Sequence, residues 1–175
     1  MKPFRPERII AIDPGTRHMG VAFFEGDSLL YHEVLTINAR HSATDILREA
    51  IARIGRIIQD LKPTALIFER TFYGNERNEA LCGLLCEELA ALGKKHKLQV
   101  TAVSPMTVKK ALTGDGHASK ERVAKAVTKR HPELRAYLPG NTKWKKRFQE
   151  NRFDAVAVGL VATTRNVPKE KTDHR

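Results

Sequence analysis

Only two cysteines occur in the 175 residues, aromatic side chains make up 6%, and no apolar run approaches the roughly 20 residues that a bilayer-spanning helix needs. The scarcity of cysteine excludes a disulfide-stapled scaffold. Cys82 and Cys86 stand four residues apart, a spacing that places both on one helical face and fits a reduced, intracellular compartment. The first residues, MKPFRPER, lack the apolar segment of a secretory signal, so a cytoplasmic location without membrane attachment is expected. What the chain does have is a 41% hydrophobic share and 29% charged residues, the balance of a globular protein. A single domain over residues 1–166 with a polar, disordered tail at 167–175 is the expected organisation.

The formal net charge is +11, and residues 93–150 account for all of it, with 15 Lys and Arg against four acids. A cation-rich region of this kind suits a polyanion such as nucleic acid, because each side chain that neutralises a phosphate releases condensed counterions. Charge alone weighs that reading evenly against a basic surface kept for solubility.

Apolar runs at Arg8–Asp13, Gly20–Glu25 and Leu29–Ile37, separated by short turns, predict three antiparallel strands in meander order. From Ala43 to Leu61 apolar residues recur every three or four positions, predicting an amphipathic helix capped by Ser42 or Thr44 and stopped at Lys62-Pro63. Thr64–Glu69 and Gln99–Val103 read as two further strands, with a helix over Asn78–Leu92 ending at Gly93 between them. Short helices are expected at Thr107–Leu112 and from Ser119 towards His131, then a loop through Arg135–Arg147 and a last helix over Glu150–Thr163. The fold class is therefore α/β, a five-stranded mixed sheet in which the later strands return through helical crossovers and run parallel to a neighbour.

Asp13 and Glu69 each end an apolar strand, and Asp154 lies in the first turns of the last helix. On adjacent parallel strands the first two would emerge at one sheet edge, where open α/β folds place their sites. Hard oxygen ligands gathered there suit Mg²⁺ or Mn²⁺, whereas dispersed strand-end acids would only aid solubility.

The segments IIAIDPGTRHMGVAFFE, ALIFERTFYGN, SPMTVKKALTGDGHASKERV and NRFDAVAVGL, in this order over about residues 8–163, resemble the motifs of the RuvC-type Holliday junction resolvases. The resemblance implies a ribonuclease H-like fold and a homodimer that nicks a four-way DNA junction symmetrically with two Mg²⁺ per active site, Mn²⁺ being able to substitute. It also implies a branch-migration helicase as a possible partner. Carried over by position, Asp13, Glu69 and Asp154 are metal-binding catalytic residues.

The family usually has Asp or His three residues before the last Asp, where this chain has Asn151. Glu150 and Asn151 both lie on the helical face of Asp154. An amide oxygen ligates Mg²⁺ without charge and is a poor general base. Three explanations stand: Glu150 substitutes, the natural enzyme works with Asn, or an Asp→Asn change was made to trap uncleaved DNA, the last being preferred because it keeps shape and removes charge.

The resemblance further implies that Phe72, with Tyr73 beside it, meets bases at the junction centre. Lys109 and Lys120 fall at basic positions beside the scissile phosphate, Lys120 stabilising developing charge. Arg70, Arg77 and Lys110 are general phosphate contacts or solvated cations. The stretch Lys143, Trp144, Lys145, Lys146 and Arg147 departs from the family in being longer and more basic, and Trp144 among these cations either meets DNA by stacking or packs down as a satellite core residue, the two weighing evenly. The broad Leu-rich face of the second helix offers a dimer contact besides core packing.

Two other readings compete. Asp13-Pro14-Gly15-Thr16 also looks like the first phosphate loop of actin-like ATPases, whose two domains exceed this length. A non-cleaving or RNA-directed nucleic-acid-binding member of the same fold would account for the missing acid.

Overall fold

The computed structural model describes residues 7–38, 42–70, 77–138 and 143–163. Among the described residues there are five strands: β1 (Arg8–Asp13), β2 (His18–Glu25), β3 (Ser28–Thr36), β4 (Ala65–Glu69) and β5 (Gln99–Val103). The sheet order is β3-β2-β1-β4-β5, with β1–β2 and β2–β3 antiparallel and β1–β4 and β4–β5 parallel. This is the ribonuclease H-like arrangement anticipated from the sequence. The same residues hold five α-helices: α1 (Ala43–Leu61), α2 (Arg77–Lys95), α3 (Pro105–Thr113), α4 (Lys120–Arg130) and α5 (Lys143–Thr163).

The central strands read as unbroken apolar runs because both faces of the sheet are covered. Ile10, Ile12, Val21, Phe23, Leu66 and Phe68 point to one side, where they meet α1 and α2. Ile9, Ala11, Ala22, Phe24 and Ile67 point to the other, against α4 and α5. Helix α1 buries Ile46, Ala50, Ile54 and Ile58, one residue per turn. Ser42 caps it by accepting the Asp45 N–H, and Lys62 ends it in the left-handed region at φ 47°.

Two glycines, Gly20 on β2 and Gly159 on α5, set how closely that helix lies on the sheet. A Cβ added to Gly20 would run into the Asn151 carbonyl oxygen and the Ala155 Cβ, and one added to Gly159 would strike Phe24. Gly20 is also the cross-strand partner of Asp13. The helix bearing Asp154 therefore lies directly over the end of the strand bearing Asp13.

Three boundaries differ from expectation. Gly93 does not stop α2 but lies inside it, because a side chain there would press on Val100 and Leu66. The helix runs to Lys95, and beyond it Lys97 takes the left-handed conformation (φ 58°) while the Leu98 N–H bonds back to the Gly93 carbonyl. The segment expected as a loop through Arg135–Arg147 instead contains a 3₁₀ turn at Pro132–Tyr137, and α5 begins at Lys143 rather than Glu150. Lys, Arg, Gln and Glu are good helix formers, so the charged run extends the helix backwards. The expected tail at 167–175 lies outside the described residues.

Candidate active site

Parallel pairing of β1 with β4 matches Ile12 to Phe68, so the next residues, Asp13 and Glu69, leave the sheet side by side. Asp154 reaches the same edge from α5. The Lys120 ammonium, on the first turn of α4, lies 2.9 Å from Asp154 Oδ2 and 3.6 Å from Glu150 Oε2. Ser119 fixes that turn by accepting the Arg122 N–H.

The acids feel one another. Burial, reinforced by the charges of Asp154 and Glu69, holds the Asp13 carboxyl well above the usual range. Burial, with Asp154 adding to it, raises Glu69 to about 7, against the opposing pull of Lys120 and Lys109. Asp154 is raised by burial despite its bond with Lys120. For Lys120, burial works against the ammonium, but Asp154, Glu150 and Asp13 outweigh it and hold the proton more firmly. A set of carboxylates stripped of water in this way is short of positive charge.

Among the described residues, no three His, Cys, Asp or Glu side chains sit together as a ready metal cage. The donor set nonetheless fits a hard divalent cation: carboxylate oxygens of Asp13, Glu69, Asp154 and Glu150, with a lysine ammonium standing in as the cation among them.

The other residues named from the sequence fall into three groups. Lys109 is half-buried and acts electrostatically on both Glu69 and Asp154, so it belongs to the cluster. Lys110 is exposed on α3, and Arg70 pairs with Glu87 of α2 at 2.8 Å. Arg77 and the stretch Lys143, Trp144, Lys145, Lys146 and Arg147 are helical, at the starts of α2 and α5. Phe72 and Tyr73 lie outside the described residues.

Asn151 packs by its backbone on Gly20, whereas the Glu150 carboxylate turns to Lys120. Helical spacing allowed both residues and could not separate them.

The sequence placed Cys82 and Cys86 on one helical face without showing what they meet. Cys82 Sγ lies 3.5 Å from the Pro14 carbonyl oxygen, and Cys86 Sγ lies 4.0 Å from that of Glu69, so α2 touches both acid-bearing strand ends. The hydrogen bond with Cys82, together with burial, pushes the Cys86 thiol far up, and it stays protonated. Their i, i+4 spacing was visible, but the strand ends they meet were not.

Comparison with known proteins follows the same lines. The family model described as Crossover junction endodeoxyribonuclease RuvC matches residues 9–136. Curated RuvC relatives include that of Syntrophotalea carbinolica, 34% identical over 158 residues covering 87% of this chain and 91% of the relative. That of Thermus thermophilus is 31% identical over 127 residues, 68% of this chain and 76% of the relative. Among solved structures, T. thermophilus RuvC in complex with a Holliday junction substrate aligns with a TM-score of 0.70 at 23% identity, over 90% of this chain and 96% of that one. The yeast mitochondrial Holliday junction resolvase Ydc2 aligns at 0.60 and 14% identity, over 89% and 81%. These two likenesses speak to the fold. Among the described residues no helix is long and apolar enough to cross a membrane.

Proposed function

The chain belongs to the crossover junction endodeoxyribonuclease RuvC family, and from that premise we propose that it resolves four-way DNA junctions by paired, symmetric, metal-dependent nicks. The observation that carries the reading is the meeting of Asp13, Glu69 and Asp154 at one sheet edge with Lys120 among them. Nucleases of this family generally depend on a divalent metal. We assign Mg²⁺, two per site with Mn²⁺ able to substitute, to the carboxylates of Asp13, Glu69, Asp154 and Glu150. When bound, the metal supplies a water of lowered pKa and an electrophile at the leaving oxygen.

The protein's own groups do the rest. Burial and mutual repulsion favour the protonated acids, and a bound cation would compensate their charge and favour the ionised forms. Lys120 holds its proton at the carboxylate edge, where it would act as an electrostatic stabiliser of the charge developing on the scissile phosphate. Lys109 orients the phosphate from the α3 side. Glu150 is the fourth acidic group, the first of the three explanations for Asn151, because its carboxylate faces Lys120.

Phe72 and Tyr73 at the junction centre, and the basic start of α5 on a DNA arm, complete the substrate contacts. A homodimer accords with two equivalent scissile strands. Leu84, 56% exposed on α2, supports it as part of the apolar surface left for a second copy. A branch-migration helicase is the further partner that family membership suggests.

The test is Mg²⁺-dependent nicking of a four-way junction beside a linear duplex, comparing this chain with Asn151→Asp. Symmetric nicks by the unaltered chain on the junction alone are expected. Binding without nicking by either protein would overturn the nuclease reading in favour of a structure-selective binder.

A further inference from the structure

The two cysteines of the chain, Cys82 and Cys86, both face the end of the sheet that carries the acids. Cys82 Sγ meets the carbonyl of Pro14, the residue after Asp13, and Cys86 Sγ meets the carbonyl of Glu69 itself. The two thiols also share a hydrogen bond, so their sulfurs are in contact. Cys82 is close enough to the Asp13 and Glu69 carboxylates to act on both electrostatically. Cys86 is buried but Cys82 only half-buried, and a Cβ added at the adjacent Gly83 would meet nothing within 4 Å. The pair is therefore reachable from solvent on the Cys82 side.

Hydrolysis assisted by hard cations has no use for sulfur. Mg²⁺ takes oxygen ligands, whereas thiolates select soft or borderline ions. Nor does the pair fit a disulfide. Cβ atoms four residues apart on a helix are roughly 5–6 Å apart and a disulfide needs about 3.8 Å, so closing one would distort α2. A bridging ion asks for less, since two metal–sulfur bonds of about 2.3 Å at a tetrahedral angle span sulfurs about 4 Å apart, the separation of a thiol–thiol contact. Two sulfurs fill half of a tetrahedral set, and the carboxylates that Cys82 already feels are the donors at hand for the rest. Among the described residues no three such side chains stand together, so a carboxylate must turn towards the sulfurs as the ion arrives. A carboxylate turned that way is lost to Mg²⁺.

We propose that Cys82 and Cys86 bind a thiophilic divalent cation of the Zn²⁺ or Cd²⁺ class, recruiting Asp13 or Glu69, and that this ion stops nicking by taking that carboxylate from the Mg²⁺ site. Each thiol releases its proton to solvent as its sulfur–metal bond forms. The binding site stands apart from the resolvase reading above, while the loss of nicking rests on it.

The test titrates Cd²⁺ into the full chain, with Mg²⁺ in excess and no added thiol, and follows the ultraviolet sulfur-to-cadmium charge-transfer band. Saturation at one ion per chain is expected. Cys82→Ala, at a half-buried position where little packing is lost, should lose the saturable band and keep its nicking in Mg²⁺ alone. At the Cd²⁺ concentration that saturates the band, junction nicking by the unaltered chain should slow about tenfold or more, and that by Cys82→Ala should change less than about twofold. A folded chain without the band, or an equal band in Cys82→Ala, overturns the site. A band with undiminished nicking, or equal inhibition of both proteins, overturns the competition with Mg²⁺. A chain that shows the band and never nicks in Mg²⁺ overturns the resolvase reading, and the competition falls with it while the band still supports the site.

Discussion

The Lys120 ammonium lies 2.9 Å from Asp154 Oδ2, joining the first turn of α4 to the middle of α5 across 34 residues of sequence. The same ammonium acts electrostatically on Asp13 and Glu69, so one lysine serves the whole carboxylate edge of the sheet. It also puts a fixed positive charge where a polyanionic substrate and its metal would meet the protein.

Replacing Asp13 by Asn removes a charge from the cluster while keeping its shape. Nicking should fall by more than about 100-fold, beyond the loss typical for a residue that only supports a metal ligand. Junction affinity should persist, because phosphate contacts are made elsewhere. Nicking and gel-shift assays on one preparation check this, and joint loss in a folded variant would remove Asp13 from the catalytic set.

Glu150 and Asn151 make opposite predictions. If Glu150 is the fourth acid, Glu150→Gln lowers nicking about tenfold or more. Activity that appears only in Asn151→Asp, and is indifferent to Glu150→Gln, would assign the role to position 151 instead.

The pH dependence has a definite sign. Glu69, raised from 4.5 to about 7, keeps its proton in the folded state over a range where the unfolded chain has lost it. In the metal-free protein its contribution to stability is therefore present below about pH 4.5 and disappears as pH rises through 7. Asp13 and Asp154 are shifted in the same direction. Thermal melts in EDTA should show Tm falling across this window, less steeply in Glu69→Gln, and added Mg²⁺ should raise Tm more at pH 8 than at pH 5. A flat profile in both proteins would contradict the burial of Glu69.

Gly20→Ala tests the seating of α5. The new methyl group meets the Asn151 carbonyl and Ala155, so stability should drop by about 1–3 kcal/mol. Nicking should fall further than stability explains, since α5 carries Asp154. Denaturant melts and nicking rates, measured together, separate the two effects.

Much of this protein was legible in the linear chain. The short apolar runs of β1, β2 and β4, the three-to-four spacing of α1 and the caps at Ser42 and Ser119 are local patterns that can be read along the chain. Asp13 and Glu69 could be named because each ends an apolar run. The start of α5 was misplaced because a run of cations looks the same in a loop as on a solvated helix face.

Other features depend on which elements meet. Gly93 stands as a helix stop in sequence and as a packing residue in the fold, since only the neighbouring strands reveal what lies against it. Glu150 and Asn151 share a helical face, and only the packed structure shows the Glu150 carboxylate 3.6 Å from the Lys120 ammonium. The amino-acid sequence determined the elements and the chemistry at their ends, because those follow from spacing along one chain. Tertiary structure alone decided the pairing of Lys120 with Asp154, because it arises where α4 and α5, far apart in sequence, pack on the same face of the sheet.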